Sequence, residues 1–183
     1  MKRALFAAAI SAVLAFAQDP AIPRKATDIG IQTGQDKYLW LSQYIGKTCV
    51  LAFISTSCPH CQFTVGVLNK IAKDYAGKDV QILASAIDPM SSLYIPEFKQ
   101  KFTPVFPVGY NDQAYVAKFL GFPPNDPMFV PQLVFVDRSG MVRAQFGGED
   151  PVMNKDIQEK SLREILEKTI KGLTTPRTAT PGK

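Results

Sequence analysis

The stretch that most constrains this chain runs from Val50 to Cys61. An apolar run, Val50-Leu51-Ala52-Phe53-Ile54, ends in the short polar turn Ser55-Thr56-Ser57, and Cys58-Pro59-His60-Cys61 follows. Then Val67, Leu68, Ile71, Ala72 and Tyr75 recur at helical spacing. Strand, Cys-x-x-Cys and helix in that order place two thiols at a helix N-terminus. Free backbone N–H groups and the positive end of the helix dipole favour a thiolate there. The thiolate is the nucleophilic form of cysteine. A Cys-x-x-Cys pair can also be half of a zinc site, but zinc wants four ligands. The chain has three cysteines and one histidine, so no second pair exists. A redox dithiol is the favoured assignment and a purely structural disulfide the alternative.

The remaining composition sets the context. A length of 183 residues fits one domain with tails. Residues 1–17 read as a signal peptide: Lys2 and Arg3 form a charged start, Ala4 to Phe16 an apolar core, and Ala15-Phe16-Ala17 a small-x-small cleavage site. The apolar core falls short of the roughly 20 residues of a membrane span. An uncleaved anchor is the competing possibility, and the only route to membrane contact. Export implies a periplasmic or extracellular location, where disulfides persist. One cysteine pair plus a single cysteine suits a catalytic dithiol better than a disulfide framework. The net charge of +5 is not organised into a basic run interleaved with aromatics, which argues against a nucleic-acid partner.

Residues 18–35, rich in Pro, Gly and polar side chains, read as an extended lead-in, with the domain at 36–173 and a disordered tail at 174–183. Trp40 is a packing residue. Cys49 to Ser55 has the near-continuous apolar character of a central parallel strand. Cys49 itself reads as a small buried hydrophobe, roughly 20 Å from the motif along the strand. A second strand covers Val80 to Ile87, closed by Asp88-Pro89. Ile95 to Phe102 is expected as a short helix with Pro96 in its first turn, and Thr103 to Tyr110 as an extended segment and loop. Asp112 is placed to cap a helix reaching Leu120, with Ala114, Val116, Ala117 and Leu120 inward. Gln132 to Val136 and Met141 to Phe146 form a hairpin around Asp137-Arg138-Ser139-Gly140. Ser161 to Glu164 reads as a capping box opening a terminal amphipathic helix. The order is β-α-β, then α-β-α, then a hairpin and a last helix. It implies an α/β fold with a mixed central sheet and helices on both faces, in three layers.

That order, with Cys58-Pro59-His60-Cys61 at the strand–helix junction, resembles the thioredoxin superfamily, and more closely its exported TlpA/ResA-like (redoxin) branch. The resemblance covers about Asp28 to Leu173. It rests also on Gly46-Lys47, on Phe106-Pro107-Val108 through Phe119, and on Val130-Pro131 leading into Leu133-Val134-Phe135-Val136-Asp137 and Gly140. It implies a cis Val130–Pro131 bond facing the dithiol. It also implies thiol–disulfide exchange with protein thiols and disulfides, without cofactor or metal. Cys58 is then the attacking cysteine and Cys61 the resolving one. Val130 presents its backbone to a substrate strand, with Pro59 and Pro131 beside it. An unidentified redox partner recycles the dithiol. The Pro-His pair is also that of DsbA-type oxidases, and a His60 imidazolium would stabilise the Cys58 thiolate and make the couple more oxidising.

The chain departs from the family pattern in three places. Ile54 and Ser57 stand where tryptophans are usual. Ala52 replaces thioredoxin's buried acid, and Gln132 replaces the glutamate after the cis-proline of cytochrome-maturation relatives. No obvious carboxylate is left to accept the proton of Cys61, and the direction of electron flow stays open. A peroxiredoxin-like peroxidase is the alternative function. Its Pro-x-x-x-(Thr/Ser)-x-x-Cys pattern is met at Ser55 but not at Leu51, where proline belongs. A copper-binding relative would need a histidine distant from the motif, and His60 is the sole histidine.

Overall fold

A computed structural model describes residues 21–123 and 126–176 of the protein. The signal peptide expected at 1–17 and most of the expected tail lie outside those residues. Among them, no helix is long and apolar enough to cross a membrane.

The centre is β4 (Thr48–Ile54), all seven residues of which are buried. It pairs in parallel with β5 (Val80–Ala86) and antiparallel with β7 (Gln132–Val136). Alternate side chains point to opposite faces of a strand, and both faces of β4 are apolar. Val50, Ala52 and Ile54 enter one core with Leu133 and Phe135, while Cys49, Leu51 and Phe53 enter the other with Val134 and Val136. The first core is covered by α1 (Pro59–Asp74), α2 (Ser91–Phe102) and α4 (Gln158–Ile170), which contribute residues such as Leu68, Phe98 and Leu162. The second is covered by α3 (Gln113–Leu120), through Val116, Phe119 and Leu120. The result is the expected three-layer arrangement with a mixed sheet.

The remaining strands are β1 (Arg24–Lys25), β2 (Gly30–Gly34), β3 (Lys37–Trp40), β6 (Val108–Tyr110) and β8 (Met141–Gly147). The eight strands run in the order β1-β8-β7-β4-β5-β6-β2-β3. The segment read as a lead-in is extended, and it belongs to the sheet. β1 pairs with β8, β2 pairs with both β3 and β6, and Ile29 and Ile31 are buried. Polar composition concealed this because these strands lie toward the sheet edges, where one side meets solvent. Trp40 packs its ring over Gly30.

Two helix starts and the buried face of a third helix differ from expectation. α2 begins at Ser91, so Pro96 sits inside the helix instead of its first turn. The Ser91 hydroxyl donates to the Asp88 carbonyl at 2.5 Å and anchors the earlier start. α3 is capped by Asp112 as expected, whose carboxylate accepts from the amides of Ala114 and Tyr115. Yet Ala114 is exposed and Phe119 is buried in its stead. α4 begins at Gln158, so Ser161 lies within it and forms no capping box. Gln158 is fully buried and hydrogen-bonds Thr64 of α1, which draws the helix start inward. At the other end of the chain, the Thr175 amide donates to the Arg143 carbonyl at 2.9 Å, so the first residues after α4 follow β8.

Two local devices hold the sheet. Gly109 in β6 lies so close under β2 that a Cβ there would sit 2.2 Å from the Gln32 carbonyl oxygen. In the hairpin turn, the buried Asp137 carboxylate accepts from the Ser139 amide and hydroxyl, the Met141 amide and Arg143 Nε. Burial pushes the Asp137 carboxyl up, but these donors outweigh it and hold it below the usual carboxylate range.

Gly109→Ala is expected to cost roughly 1–3 kcal/mol, because β2 must move away. The check is the urea midpoint against the unaltered protein. Asp137→Asn is expected to cost on the order of 2 kcal/mol at neutral pH. A depressed carboxyl contributes stability above its unfolded value near ~3.9, and loses it as pH falls through the folded value. The gap between the two proteins should therefore close as unfolding is measured at successively lower pH below ~4.

Candidate active site

The motif stands at the C-terminal end of β4, where the chain turns from Ile54 into α1. Cys58 is the N-cap of α1 and Pro59 its first residue, suited to a position whose N–H has no helical partner. The Cys61 amide donates to Cys58 Sγ at 3.3 Å. The first turn of α1 itself carries no acidic side chain to offset the positive end of the helix. Cys58 is half-buried, whereas Cys61 is fully buried, and both are free thiols.

Cys61 Sγ accepts from the Ser55 amide at 3.4 Å. Burial pushes the Cys61 thiol far above the ordinary cysteine range. The Ser55 amide opposes this, and Cys58 and Asp88 reinforce it. The two sulfurs are thus chemically unequal: one is accessible at a helix end, the other is kept protonated beneath it. Cys49 belongs to neither role. It is buried at the opposite end of β4, its thiol pushed up to about 11 by burial against a smaller opposing effect of Lys47. The cavity of about 230 Å³ that it lines with Leu41 and Tyr44 opens at that far end, away from the dithiol.

Val130–Pro131 is cis, as the resemblance implied; Ile22–Pro23 is a second cis bond, which the sequence had not suggested. The pairing of β4 with β7 ends at Phe53 opposite Gln132, and Pro131 is the residue just before Gln132, at the end of β4 that leads into the motif. The cis bond therefore flanks the loop that carries Cys58. Gly148 keeps this corner tight: a Cβ there would sit 2.8 Å from the Val130 oxygen and 3.1 Å from Pro131 Cδ.

His60 faces away from the loop toward α4. Its Nε2 lies 2.9 Å from the Met153 carbonyl oxygen, which also accepts from Gln158 Nε2 at 3.3 Å. That carbonyl makes Nε2 the protonated ring nitrogen. The residue that sequence reasoning missed is Asp88. Its carboxylate receives the Thr56 amide at 2.6 Å and the Thr56 hydroxyl at 2.9 Å, beside the dithiol. Asp88 had read only as the end of a strand. The signal available was the parallel pairing of its strand with β4, which makes the two C-terminal ends neighbours. Next to Thr56, a groove of about 220 Å³ runs between the loop and α2, lined by Ser57, Gln62, Tyr94 and Lys101. Among the described residues, no cluster of His, Cys, Asp or Glu is arranged to hold a metal ion.

The profile of the AhpC/TSA family matches residues 22–145. The chain is similar to the thiol-disulfide oxidoreductase ResA of Bacillus thuringiensis and of Bacillus cereus. Each is 24% identical over 144 residues, covering 79% of this chain and 78% of the relative. Among solved structures, a hypothetical protein from Sinorhizobium meliloti superposes with a TM-score of 0.71 at 21% identity, covering 90% of this chain and 92% of the other. A putative thiol:disulfide interchange protein DsbE from Chlorobium tepidum superposes at 0.64 with 22% identity, covering 79% and 96%. The fold, the strand-end dithiol and the matched span lead to one assignment: the chain belongs to the AhpC/TSA family and is a redoxin of the thioredoxin superfamily.

Proposed function

We propose that this oxidoreductase works outside the cytoplasm and exchanges disulfides with protein substrates through Cys58 and Cys61. The observation that carries the proposal is the inequality of the two thiols: Cys58 accessible at the head of α1, Cys61 buried and held protonated. In the oxidising direction for the protein, Cys58 Sγ attacks one sulfur of a substrate disulfide. A mixed disulfide forms, and the displaced substrate sulfur leaves as a thiolate that takes up a proton. Cys61 then loses its proton and attacks Cys58 Sγ. The Cys58–Cys61 disulfide forms, and the second substrate sulfur leaves with the electron pair. Two electrons and two protons pass to the substrate, and the reverse sequence oxidises a dithiol.

Val130 is the proposed backbone contact for an extended substrate segment, with Pro131 and Pro59 as further proposed contacts. His60 is the proposed tuning residue of the couple, its ring held by the Met153 carbonyl. The extracytoplasmic location rests on the sequence of residues 1–17. The relatives named ResA are thiol-disulfide oxidoreductases, which favours this reading over a peroxidase. Leu51 in place of the peroxidatic proline, buried in the centre of β4, speaks the same way.

Insulin reduction, or oxidation of a reduced protein substrate, should be abolished by Cys58→Ser. Cys61→Ser should accumulate the mixed disulfide, visible by mass spectrometry, and Cys49→Ala should retain nearly full activity. Full turnover by the Cys58 variant would end the proposal. Limiting iodoacetamide should label Cys58 and spare Cys61, because only a thiolate reacts and Cys61 is buried. Equilibration with glutathione should return a couple that becomes more reducing on His60→Ala, by about 30 mV for each tenfold change in equilibrium constant. An unchanged potential would remove His60 from the tuning role.

A further inference from the structure

A buried thiol must lose its proton before it can resolve a mixed disulfide, and the positions where relatives carry an acid hold Ala52 and Gln132 here. The structure supplies a carboxylate from another element. The Ile87 amide bonds the Ile54 carbonyl at 2.9 Å, which carries the end of β5 alongside the motif loop. One residue on, Asp88 Oδ2 accepts from Thr56 N and Thr56 Oγ1. The amide immediately before it, Ser55 N, donates to Cys61 Sγ. Consecutive peptide units of one turn therefore hold the carboxylate and the buried thiol. Gln62 Nε2 donates to the Thr56 carbonyl at 2.9 Å and braces that turn from α1. Asp88 is half-buried, as a group that exchanges protons with both a thiol and solvent must be.

We propose that Asp88 receives the proton of Cys61 in the resolving step and returns it when the disulfide is reduced. The proposal rests on the dithiol reading above. As Cys61 Sγ forms its bond to Cys58 Sγ, the S–H proton passes to the Asp88 carboxylate, directly or across one water. The bond from Cys58 to the substrate sulfur breaks, and that sulfur leaves with the electron pair. Asp88 then releases the proton to solvent. The charge of Asp88 also reaches Cys61 and, with burial and Cys58, keeps the thiol protonated until the mixed disulfide forms. The other titratable groups nearby are Cys58 and His60 at the head of α1, Tyr94, Glu97 and Lys101 on α2 along the groove beside Thr56, and Tyr110 and Asp112 across the opening shared with Asp88. Of the carboxylates among them, Asp88 is the one whose charge acts on Cys61.

The test separates the two chemical steps. The reduced protein is mixed with a symmetric aromatic disulfide whose released thiolate is coloured. The first release reports attack by Cys58 and the second reports resolution by Cys61. Asp88→Asn keeps an acceptor for the Thr56 amide and removes the charge. The expected result is a first phase within twofold of the unaltered protein and a second phase slowed by roughly 100-fold or more at pH 7. In the unaltered protein the second phase should be nearly flat with pH around neutrality. In the variant it should rise about tenfold for each pH unit, because the attacking thiolate must then form in solvent equilibrium. Asp88→Glu should keep the flat profile at a reduced rate, and it serves if the Asn variant fails to fold. A variant second phase of unchanged rate, or of unchanged pH profile, overturns the proposal. Equal slowing of both phases overturns it too, since that marks a structural role. If the unaltered protein shows no second phase at all, the dithiol reading falls and the proposal with it.

Discussion

The parallel pairing of β4 with β5 is the constraint on which the remainder of the molecule depends. Seven rungs run from Thr48 opposite Val80 to Ile54 opposite Ala86. Parallel strands end on the same side, so everything that follows either strand must emerge at one edge of the sheet. β4 delivers Cys58 and Cys61 to that edge, and β5 delivers Asp88. The antiparallel partner β7 starts there, which adds the cis Val130–Pro131 bond. Four groups separated by up to 73 positions of sequence become one site because three strands share a register.

Burial then divides the labour between the two sulfurs. A helix places residues three apart on adjoining parts of its surface. In α1 that spacing leaves Cys58 at the open end and turns Cys61 onto the core, among Val65, Leu68 and Ile54. The same low-polarity packing that stabilises the domain is what penalises a Cys61 thiolate. Stability and reactivity therefore draw on one set of contacts. The core disfavours charge at Cys61, Cys58 stands at the open helix end, and a short amide-lined turn separates the two environments.

The site is also braced from the α4 side. Half-buried His60 and buried Thr64 and Gln158 form a polar cluster around the Met153 carbonyl, with Thr64 Oγ1 donating to the His60 carbonyl at 2.9 Å. Buried polar groups of this kind are costly unless each finds a partner, and a satisfied cluster fixes one arrangement. It ties the first turn of α1 to the C-terminal helix, so the geometry of the dithiol is coupled to a segment nearly a hundred residues away.

Much of this was legible in the sequence, for local reasons. The apolar run before Cys58, the helical spacing after it, the Asp112 cap and the hairpin turn are each settled by residues a few positions apart. The cis bond was available only through the family resemblance. Periodicity did not reveal β1 at the sheet edge or β2 next to the other edge, whose backbones are paired by distant segments. It also misplaced the starts of α2 and α4, which are set by the Ser91 hydroxyl and by the burial of Gln158. What the sequence by itself determined is the local unit: two thiols, a helix end and a strand that must be buried, because these depend on neighbours along the chain. What only the tertiary structure decided is which groups surround that unit. Ala52 and Gln132 left the site without an obvious acid, and Asp88 stands beside it only because the two parallel strands end side by side.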